Sequence, residues 1–461
     1  MKKLFGTDGI RGVANEYPMT AEMAARVGRA VALFFSKTGS FSKIIIGKDT
    51  RISGDMLESA IVSGICSVGA NACLVGVLPT PAVAHLTSSF KACAGIMISA
   101  SHNPFYDNGI KVFNADGYKL TDEQEAEIEK LILDEYVEAR NKESRNLGTS
   151  HTVGTSTSDY ISFLKDAVPA DLHFKSLKIV LDCSNGATYR IAPQLFMELG
   201  AEVESLAVEP DGTNINEGCG SQHPEELIKA VMAARADIGL AFDGDGDRLI
   251  AVDEAGKVLS GDHILAICAK FMKQKGALTN NTVVSTVMSN MGFGAALKKL
   301  GIKHEITQVG DRYVVQRMIA TGAVLGGEDS GHMIFADHHT TGDGILTALK
   351  LIETMHTAKE SLSNLSKIIT VYPQILMNVD VESKPDINAV PEIMAAVQSV
   401  EAALGDNGRV LVRYSGTRPL CRVMVEGANE TETRKYCNQI ADIIKNNIGI
   451  DARRNGASEK R

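Results

Sequence analysis

Short apolar runs alternate with segments of helical periodicity along most of this chain, and few folds satisfy that pattern. In TAEMAARVGRAVALFFSKTG, for example, Met23, Val27 and Val31 fall on one helical face. The apolar runs nearby are KIIIGKD, ACLVGVL and AGIMISA. Apolar strands separated by helices are typical of parallel β-α-β winding, so we expect an α/β protein.

The pattern restarts near residue 158 and after Gly261, with a period of about 100 residues, which indicates repeated domains and not a solenoid. From about residue 372 the order becomes strand, helix, two strands joined at SGTRP, and helix, which predicts a smaller α+β domain. At 461 residues the chain is also too long for one hydrophobic core. The predicted domains are 1–157, 158–258, 259–371 and 372–450, followed by a disordered tail over 451–461.

Composition and charge exclude several classes of protein. The formal net charge is -9 with both signs interspersed, which argues against a nucleic-acid partner. No run approaches the ~20 apolar residues that cross a bilayer, and the start, MKKLFGTDGIRG, lacks the apolar run of a signal peptide. The eight cysteines include no Cys-x-x-Cys pair and are typical of reduced core thiols. We therefore expect a cytoplasmic protein with neither nucleic acid nor membrane as a partner.

The segment FDGDGDR is the most specific local signal. Asp243, Asp245 and Asp247 occupy alternate positions, so in an extended segment their carboxylates would point the same way. Three carboxylates with few other ligands suit Mg²⁺, whereas an EF-hand loop is excluded because apolar residues interrupt it. A polar turn is the alternative, but three converging carboxylates would repel one another without a cation.

Three further stretches place polar groups at the ends of predicted strands. Ser101, in SASHNP, follows a predicted strand from Gly95 to Ser99, and open α/β sheets bind ligands at such strand ends; taken alone, this cluster could be a Ser/Asn turn. GGEDSGH (326–332) could hydrogen-bond sugar hydroxyls or simply end a strand. VRYSGTRPLCRVMVE (412–426) has the composition of a phosphate cradle, and a hairpin with a solvated basic tip is the alternative. Lys111 and Arg11 could serve the same site, or be an isolated solvated charge and a structural loop residue.

Together these stretches resemble the α-D-phosphohexomutase family, because FGTDGIRG, SASHNP, DGDGDR, GGEDSGH and RYSGTRP occur in the family's order along nearly the whole chain. FGTDGIRG and PDGTNINEGCGSQHPEEL are more similar to the bacterial branch that acts on glucosamine phosphates than to the branch that acts on mannose and glucose phosphates. The resemblance implies three similar mixed-sheet α/β domains plus a smaller C-terminal α+β domain around a central active-site cleft.

The implied reaction interconverts glucosamine 6-phosphate and glucosamine 1-phosphate, feeding UDP-N-acetylglucosamine and cell-wall synthesis. It would pass through a phosphoserine at Ser101 and a hexosamine 1,6-bisphosphate, which is both activator and intermediate. Mg²⁺ would be held by Ser101, Asp243, Asp245 and Asp247. The implied catalytic residues are Ser101, Lys111, His102 and Arg11. The implied substrate-binding residues are Arg248, Glu328, Ser330, His332, Arg413, Ser415, Gly416, Thr417 and Arg422.

The chain departs from the family pattern at Tyr414, Arg418 and Asp329, where the family usually has proline, glutamate and glutamine. We hypothesise that Asp329 favours the cationic amino group of the sugar. The alternatives are a phosphomannomutase/phosphoglucomutase, a metal-dependent phosphatase and a non-catalytic sugar-phosphate sensor. The sequence lacks the clustered ligands of a two-metal site, which argues against the phosphatase. A sensor would be expected to have lost Ser101 or one of the three aspartates, and all four are present. A homodimer is left open.

Overall fold

The computed structural model of the protein describes residues 4–6, 8–35, 42–134, 147–170, 172–415 and 419–450. The predicted tail, 451–461, lies outside these residues. Four sheets follow one another along the chain. The first region contains β1 (Ile10–Val13), α1 (Ala21–Phe35), β2 (Lys43–Lys48), α2 (Gly54–Cys66), β3 (Asn71–Val77), α3 (Thr80–Ser89), β4 (Ala94–Ile98), β5 (Asp107–Asn114), α4 (Asp122–Leu133) and β6 (Ser150–Thr152).

The next two regions repeat the alternation of strands and helices. The second contains α5 (Ser156–Asp166), β7 (Lys178–Asp182), α6 (Ile191–Glu198), β8 (Glu202–Leu206), α7 (Glu225–Ala234), β9 (Ile238–Phe242), β10 (Leu249–Asp253) and β11 (Val258–Leu259). The third contains α8 (Gly261–Gln274), β12 (Thr282–Thr286), α9 (Met291–Lys299), β13 (Lys303–Thr307), α10 (Asp311–Thr321), β14 (Leu325–Gly327), β15 (Met333–Phe335), α11 (Gly344–Ala358) and α12 (Leu362–Leu365).

The fourth region has the predicted order of strand, helix, two strands and helix. It contains β16 (Gln374–Asp380), α13 (Pro391–Leu404), β17 (Gly408–Tyr414), β18 (Leu420–Gly427) and α14 (Glu430–Ile448). Its sheet, in the order β16-β18-β17, is antiparallel throughout. The protein is therefore an α/β protein with three similar domains and a smaller C-terminal domain, as predicted.

The first three sheets are mixed, and parallel winding describes only part of each one. Their strand orders are β1-β5-β4-β2-β3-β6, β11-β10-β9-β7-β8 and β13-β12-β14-β15. In each sheet a strand that pairs in parallel on one side is followed by an antiparallel neighbour; these pairs are β4–β5, β9–β10 and β14–β15. The turns inside these three pairs, which we call the site turns, carry Ser101, the three aspartates and residues 328–332 of GGEDSGH, respectively.

Close helix packing in the first region depends on two glycines. A Cβ atom on Gly28 of α1 would lie 2.3 Å from the Ile61 carbonyl oxygen, and one on Gly64 of α2 would lie 2.0 Å from that of Ala25. Since real Cβ atoms do not approach backbone so closely, a larger residue at either position would force α1 and α2 apart. The two helices thereby bury an apolar face against the sheet that carries Ser101.

The described chain divides into two compact units. The described residues within Met1–Ser289 and Leu297–Ile368 form the first unit, and those within Asn290–Ala296 and Ile369–Arg461 form the second. The three site turns therefore belong to the first unit, and the described residues of the RYSGTRP stretch belong to the second. No helix in the described part of the chain has the length and apolar character needed to cross a bilayer.

Candidate active site

Ser101 lies in the turn after β4 with its side chain buried. Its Oγ donates a hydrogen bond to Asp243 Oδ2 at 2.5 Å and lies 3.4 Å from His102 Nδ1. Its φ angle is 55°, in the left-handed region that residues with a Cβ atom seldom adopt. Only 1% of the residue is exposed, so this conformation is fixed by its surroundings. The structure thus brings the predicted nucleophile, Ser101, against the predicted metal loop.

The three aspartates converge because the segment turns, and the extended arrangement expected from the sequence is wrong. Gly246 N–H donates to the Asp243 carbonyl oxygen at 3.0 Å, and Gly246 has a φ of 69°, which closes the loop between β9 and β10. One carboxylate oxygen from each aspartate lies within 4.8 Å of the other two. All three side chains are buried.

These carboxylates fit a cation on three grounds. Among the described residues, neither Asp245 Oδ1 nor Asp247 Oδ1 has a hydrogen-bond partner, although both atoms are buried. The pKa of Asp243 is raised well above its usual value by burial and by the negative charges of Asp247 and Asp245. Hard oxygen ligands of this kind suit Mg²⁺. Asp243, Asp245 and Asp247 could therefore hold a divalent metal ion.

Lys111, on β5, lies among the same carboxylates. Its Nζ atom is 2.6 Å from Asp245 Oδ2, 3.6 Å from Asp247 Oδ2 and 3.3 Å from Asp8 Oδ2. Burial acts to lower the pKa of Lys111, but the three carboxylates outweigh it and the pKa is raised. The side chain is thus held as an ammonium ion, able to donate to an oxyanion or to a leaving alkoxide.

Six side chains, five of them charged and one a histidine, close a ring at this site. The ring comprises Lys111, Asp8, Lys119, Asp311, His332 and Asp247. Lys119 Nζ is 2.5 Å from Asp8 Oδ1 and also pairs with Asp311, on α10. His332 Nε2 is 3.8 Å from Asp311 Oδ2 and 3.9 Å from Asp247 Oδ2. Side chains of all three similar domains therefore meet here.

Two arginines and a histidine complete the surroundings of Ser101. Arg11 Nη1 donates to the Ala100 carbonyl oxygen at 3.2 Å, and Arg248 N–H donates to Asp243 Oδ1 at 3.2 Å. Burial together with Arg248 and Arg11 lowers the pKa of His102 to about 3, so its imidazole is neutral. Arg11, His102 and Arg248 therefore all lie near the serine.

The GGEDSGH turn approaches the metal loop from the third sheet. Arg248 and His332 form an isolated antiparallel bridge between the two turns. Glu328 Oε1 accepts from Gly310 N–H at 3.1 Å, and Ser330 is half-buried in the same turn. Burial and the neighbouring Glu328 raise the pKa of Asp329 to about 6. Glu328, Ser330 and His332 thus share one turn with Asp329, the residue that stands where the family usually has glutamine.

In the second unit, Arg413 and Arg422 face each other directly across β17 and β18. Like charges at directly opposite positions are destabilising. Burial and the positive charge of Arg422 lower the pKa of Arg413. Ser415 is buried at the end of β17, and its carbonyl oxygen accepts from Lys384 Nζ at 2.6 Å. Gly416 and Thr417, like Arg418, lie outside the described residues.

Several residues at the site were missed from the sequence. Thr80 donates to the side chain of Asp245, and Arg51, Lys119 and Lys384 each contact a site segment from a distant part of the chain. No spacing rule joins Thr80 to Asp245, because they are 165 residues apart. The one available signal, a polar side chain shortly after an apolar strand, applies only to Arg51 and Thr80, which follow β2 and β3 by three residues.

Comparisons with known proteins agree with this arrangement. Four models described as phosphoglucomutase/phosphomannomutase match in order: α/β/α domain I over residues 2–138, domain II over 158–256, domain III over 260–372 and the C-terminal domain over 376–443. A phosphoglucosamine mutase from Syntrophus aciditrophicus is 59% identical over 97% of this chain and 100% of its own.

Solved structures share the fold at lower identity. A phosphoglucomutase/phosphomannomutase family protein from Burkholderia thailandensis has a TM-score of 0.80 with 23% identity, covering 98% of this chain and 100% of its own. N-acetylphosphoglucosamine mutase from Aspergillus fumigatus, solved with GlcNAc-6P and magnesium, has a TM-score of 0.70 with 18% identity over 96% and 95% of the two chains. With four matched domains and full-length relatives of this identity, the chain belongs to the α-D-phosphohexomutase family, on the side of its bacterial phosphoglucosamine mutases.

Proposed function

We propose that this protein is a phosphoglucosamine mutase that interconverts glucosamine 6-phosphate and glucosamine 1-phosphate through phosphorylated Ser101. The observation that carries the proposal is the 2.5 Å contact between Ser101 Oγ and Asp243, within a buried group of three carboxylates. Full-length relatives named phosphoglucosamine mutase support the choice of sugar. A phosphomannomutase/phosphoglucomutase is not favoured by these relatives.

The reaction consists of two transfers that balance. In the first, the bond between phosphorus and Ser101 Oγ breaks while a bond forms to the free hydroxyl oxygen of the sugar, whose proton passes to Oγ. The sugar then carries phosphates at both positions. In the second, Ser101 Oγ loses its proton and takes the other phosphoryl group, and the sugar oxygen regains a proton. The serine ends as it began.

The chain's own residues contribute position and charge to each transfer, which dominate phosphoryl transfer. Lys111 and Arg248, both cationic at the metal loop, would neutralise the phosphoryl oxygens, and Lys111 would pass the proton between the sugar and Oγ. Arg11 and the neutral His102 would line the same pocket. Asp243, Asp245 and Asp247 would hold Mg²⁺, which when bound supplies a further positive charge at the phosphoryl group.

The other substrate groups would be bound by the remaining predicted residues. Glu328, Ser330 and His332 would hydrogen-bond the sugar ring. Arg413, Ser415, Gly416, Thr417 and Arg422 would hold the phosphate that does not react. The crowding of Arg413 against Arg422 supports this role, because a phosphate dianion relieves the repulsion between the two guanidinium groups.

A substrate panel tests the proposal. Purified protein with Mg²⁺ and a catalytic amount of glucose 1,6-bisphosphate is assayed on glucosamine 6-phosphate, glucose 1-phosphate and mannose 1-phosphate. We expect the highest kcat/KM for glucosamine 6-phosphate, together with the mass of one phosphoryl group on Ser101 by intact-mass analysis and peptide mapping. Dominant turnover of mannose 1-phosphate, or turnover without any phosphoserine, would overturn it.

A further inference from the structure

The side chain of Arg51 supports the turn that begins at Ser101 through hydrogen bonds to its backbone. It lies between β2 and α2 with its side chain fully buried, and its Nε atom donates to Asp49 Oδ2 at 2.8 Å. Its other four donated bonds all end on main-chain oxygens of residues 101–107, which we call the serine loop. The acceptors are Ser101 O at 2.8 Å, Asn103 O at 2.8 Å, Asp107 O at 3.0 Å and Pro104 O. All five donors of the guanidinium group are thereby used.

A second donor reaches the same loop from the second domain. Asn216 Nδ2 donates to Ser101 O at 3.0 Å and to Asn103 O at 3.1 Å. These two carbonyl oxygens are therefore each bound from two sides, by Arg51 and by Asn216. Asn216 lies in the NINEGCGSQH stretch, and its own backbone N–H donates to the Ser184 carbonyl oxygen at 2.9 Å.

The backbone of Ser101 is fixed at its amide end as well. Ser101 N–H donates to Ser99 Oγ at 2.9 Å, and Ser99 Oγ donates to Asp49 Oδ2 at 2.7 Å. Asp49 therefore joins the two supports, since it also pairs with Arg51. The side-chain oxygen of Ser101 is the polar atom left to face the metal loop, and the left-handed φ of this residue is maintained by bonds at both ends.

We propose that Arg51 and Asn216 form a carbonyl clamp that positions Ser101 Oγ for phosphoryl transfer. This inference rests on the proposed function. During turnover Oγ alternates between a neutral hydroxyl and a phosphate ester with about two negative charges. That change would pull an unsupported loop toward nearby cations, whereas a loop held by its carbonyl oxygens keeps Oγ in line in both states. Both are positioning residues, because neither contacts the reacting atoms.

The clamp explains why an arginine stands at position 51. Lysine has a comparable charge for Asp49, but its three donors radiate from one atom and cannot reach four separate carbonyl oxygens. Arg51→Lys therefore retains the buried ion pair and loses most of the clamp. Asn216→Ala removes the other half without touching any buried charge, so it remains informative if the lysine variant fails to fold.

The test measures how fast glucose 1,6-bisphosphate loads a phosphoryl group onto Ser101, together with kcat and KM for glucosamine 6-phosphate. In the loading step a bond from phosphorus to a sugar oxygen breaks, one to Oγ forms, and the Oγ proton passes to the sugar. We expect each variant to lower the loading rate and kcat by about tenfold or more with KM within about twofold, since small misplacements of reacting groups cost up to about 100-fold.

Two matched variants separate positioning from general damage. Arg312→Lys alters an arginine that pairs with the buried Glu125, and Asn214→Ala removes an amide that donates to the Glu209 carbonyl oxygen in the same loop as Asn216. Both should load at the wild-type rate. Wild-type loading by both clamp variants, or a loss confined to KM, would overturn the clamp alone. A wild-type protein that never acquires the phosphoryl group would overturn the proposed function and the clamp with it.

Discussion

Ser101 and Asp243 illustrate how burial sets the chemistry of single residues at this site. Removing three carboxylates from water and crowding them together raises the pKa of Asp243 well above its usual value. Lys111 acts in the opposite direction on Asp245: burial raises that carboxyl pKa, but the charge of Lys111 and hydrogen bonds from Lys111 and Thr80 lower it overall. Two aspartates two residues apart thus differ in proton affinity because their neighbours differ.

Asp329 supplies a prediction about sugar preference. The pKa of its carboxyl is raised to about 6, chiefly by burial, so the group is ionised at pH 7.5 and mostly protonated at pH 5. If the carboxylate binds the amino group of the sugar, Asp329→Gln should lower the ratio of kcat/KM for glucosamine 6-phosphate over glucose 6-phosphate by about tenfold, or ~1.4 kcal/mol.

The same ratio should fall in the wild type as the pH drops through about 6, because protonation removes the negative charge. The glutamine variant is the control for the wild type, because protonation of the two substrates themselves changes the ratio equally in both proteins. A ratio that is the same in both proteins at pH 7.5 would exclude Asp329 from recognition of the amino group.

At the scale of single elements, the beginning of α3 supports the metal loop. Thr80 is the first residue of α3 and is fully buried. Its backbone N–H donates to the Asp245 carbonyl oxygen at 2.9 Å, and its hydroxyl donates to Asp245 Oδ2. The other carboxylate oxygen, Oδ1, has no partner in the described part of the chain. Thr80 therefore orients Asp245 so that this oxygen is available to a cation.

Thr80→Val should accordingly weaken metal binding. Valine has the shape of threonine but cannot donate, and loss of a supporting hydrogen bond to a ligand typically costs about 10- to 100-fold in metal affinity. Direct Mn²⁺ binding, followed by electron paramagnetic resonance, measures the effect apart from activity. Thr87→Val is the control on the same helix, because its hydroxyl donates only to the Val83 carbonyl oxygen in the described structure. Equal Mn²⁺ affinity in the two variants would contradict the role of Thr80.

The elements also show what the sequence could reveal. The apolar runs predicted β2, β3 and β4, and the change in the order of elements after residue 372 predicted the fourth sheet. The antiparallel strand β5 was not predicted, because NGIKVF lacks a clear period and its pairing with β4 and β1 is a tertiary property. The motifs located the site turns, whereas Thr80 and Arg51 remained hidden because their partners are far away along the chain.

At the scale of the whole chain, one topological position recurs. In each of the first three domains the site turn leads from a strand with a parallel partner into an antiparallel neighbour. Parallel strands present their carboxyl ends at one edge of the sheet, so equivalent turns from three domains can contribute to one site. The repeated domain therefore places Ser101, the three aspartates and the GGEDSGH turn at equivalent positions in the first, second and third domains.

The ring of six side chains joins the three similar domains, and within it Lys119 links Asp8 of the first domain to Asp311 of the third. Its ammonium group bridges Asp8 and Asp311, and the side chain is only 15% exposed. Lys119→Met would leave two largely buried carboxylates without this cation. Because removing one partner of a buried ion pair typically costs about 3–5 kcal/mol, the urea midpoint of the first unit should fall strongly, and kcat should fall with it.

Lys303→Met provides the comparison for the ring. Lys303 also pairs with a carboxylate, that of Glu305, but it is 65% exposed, so its loss should cost less than about 1 kcal/mol. Unfolding of both variants is followed by far-ultraviolet circular dichroism in urea, with kcat measured in parallel. If Lys119→Met unfolds at the same urea concentration as Lys303→Met, Lys119 contributes no net stability through the ring. The contact between the second and third domains at the site would then depend on backbone hydrogen bonds such as that from Leu249 N–H to the Gly331 carbonyl oxygen.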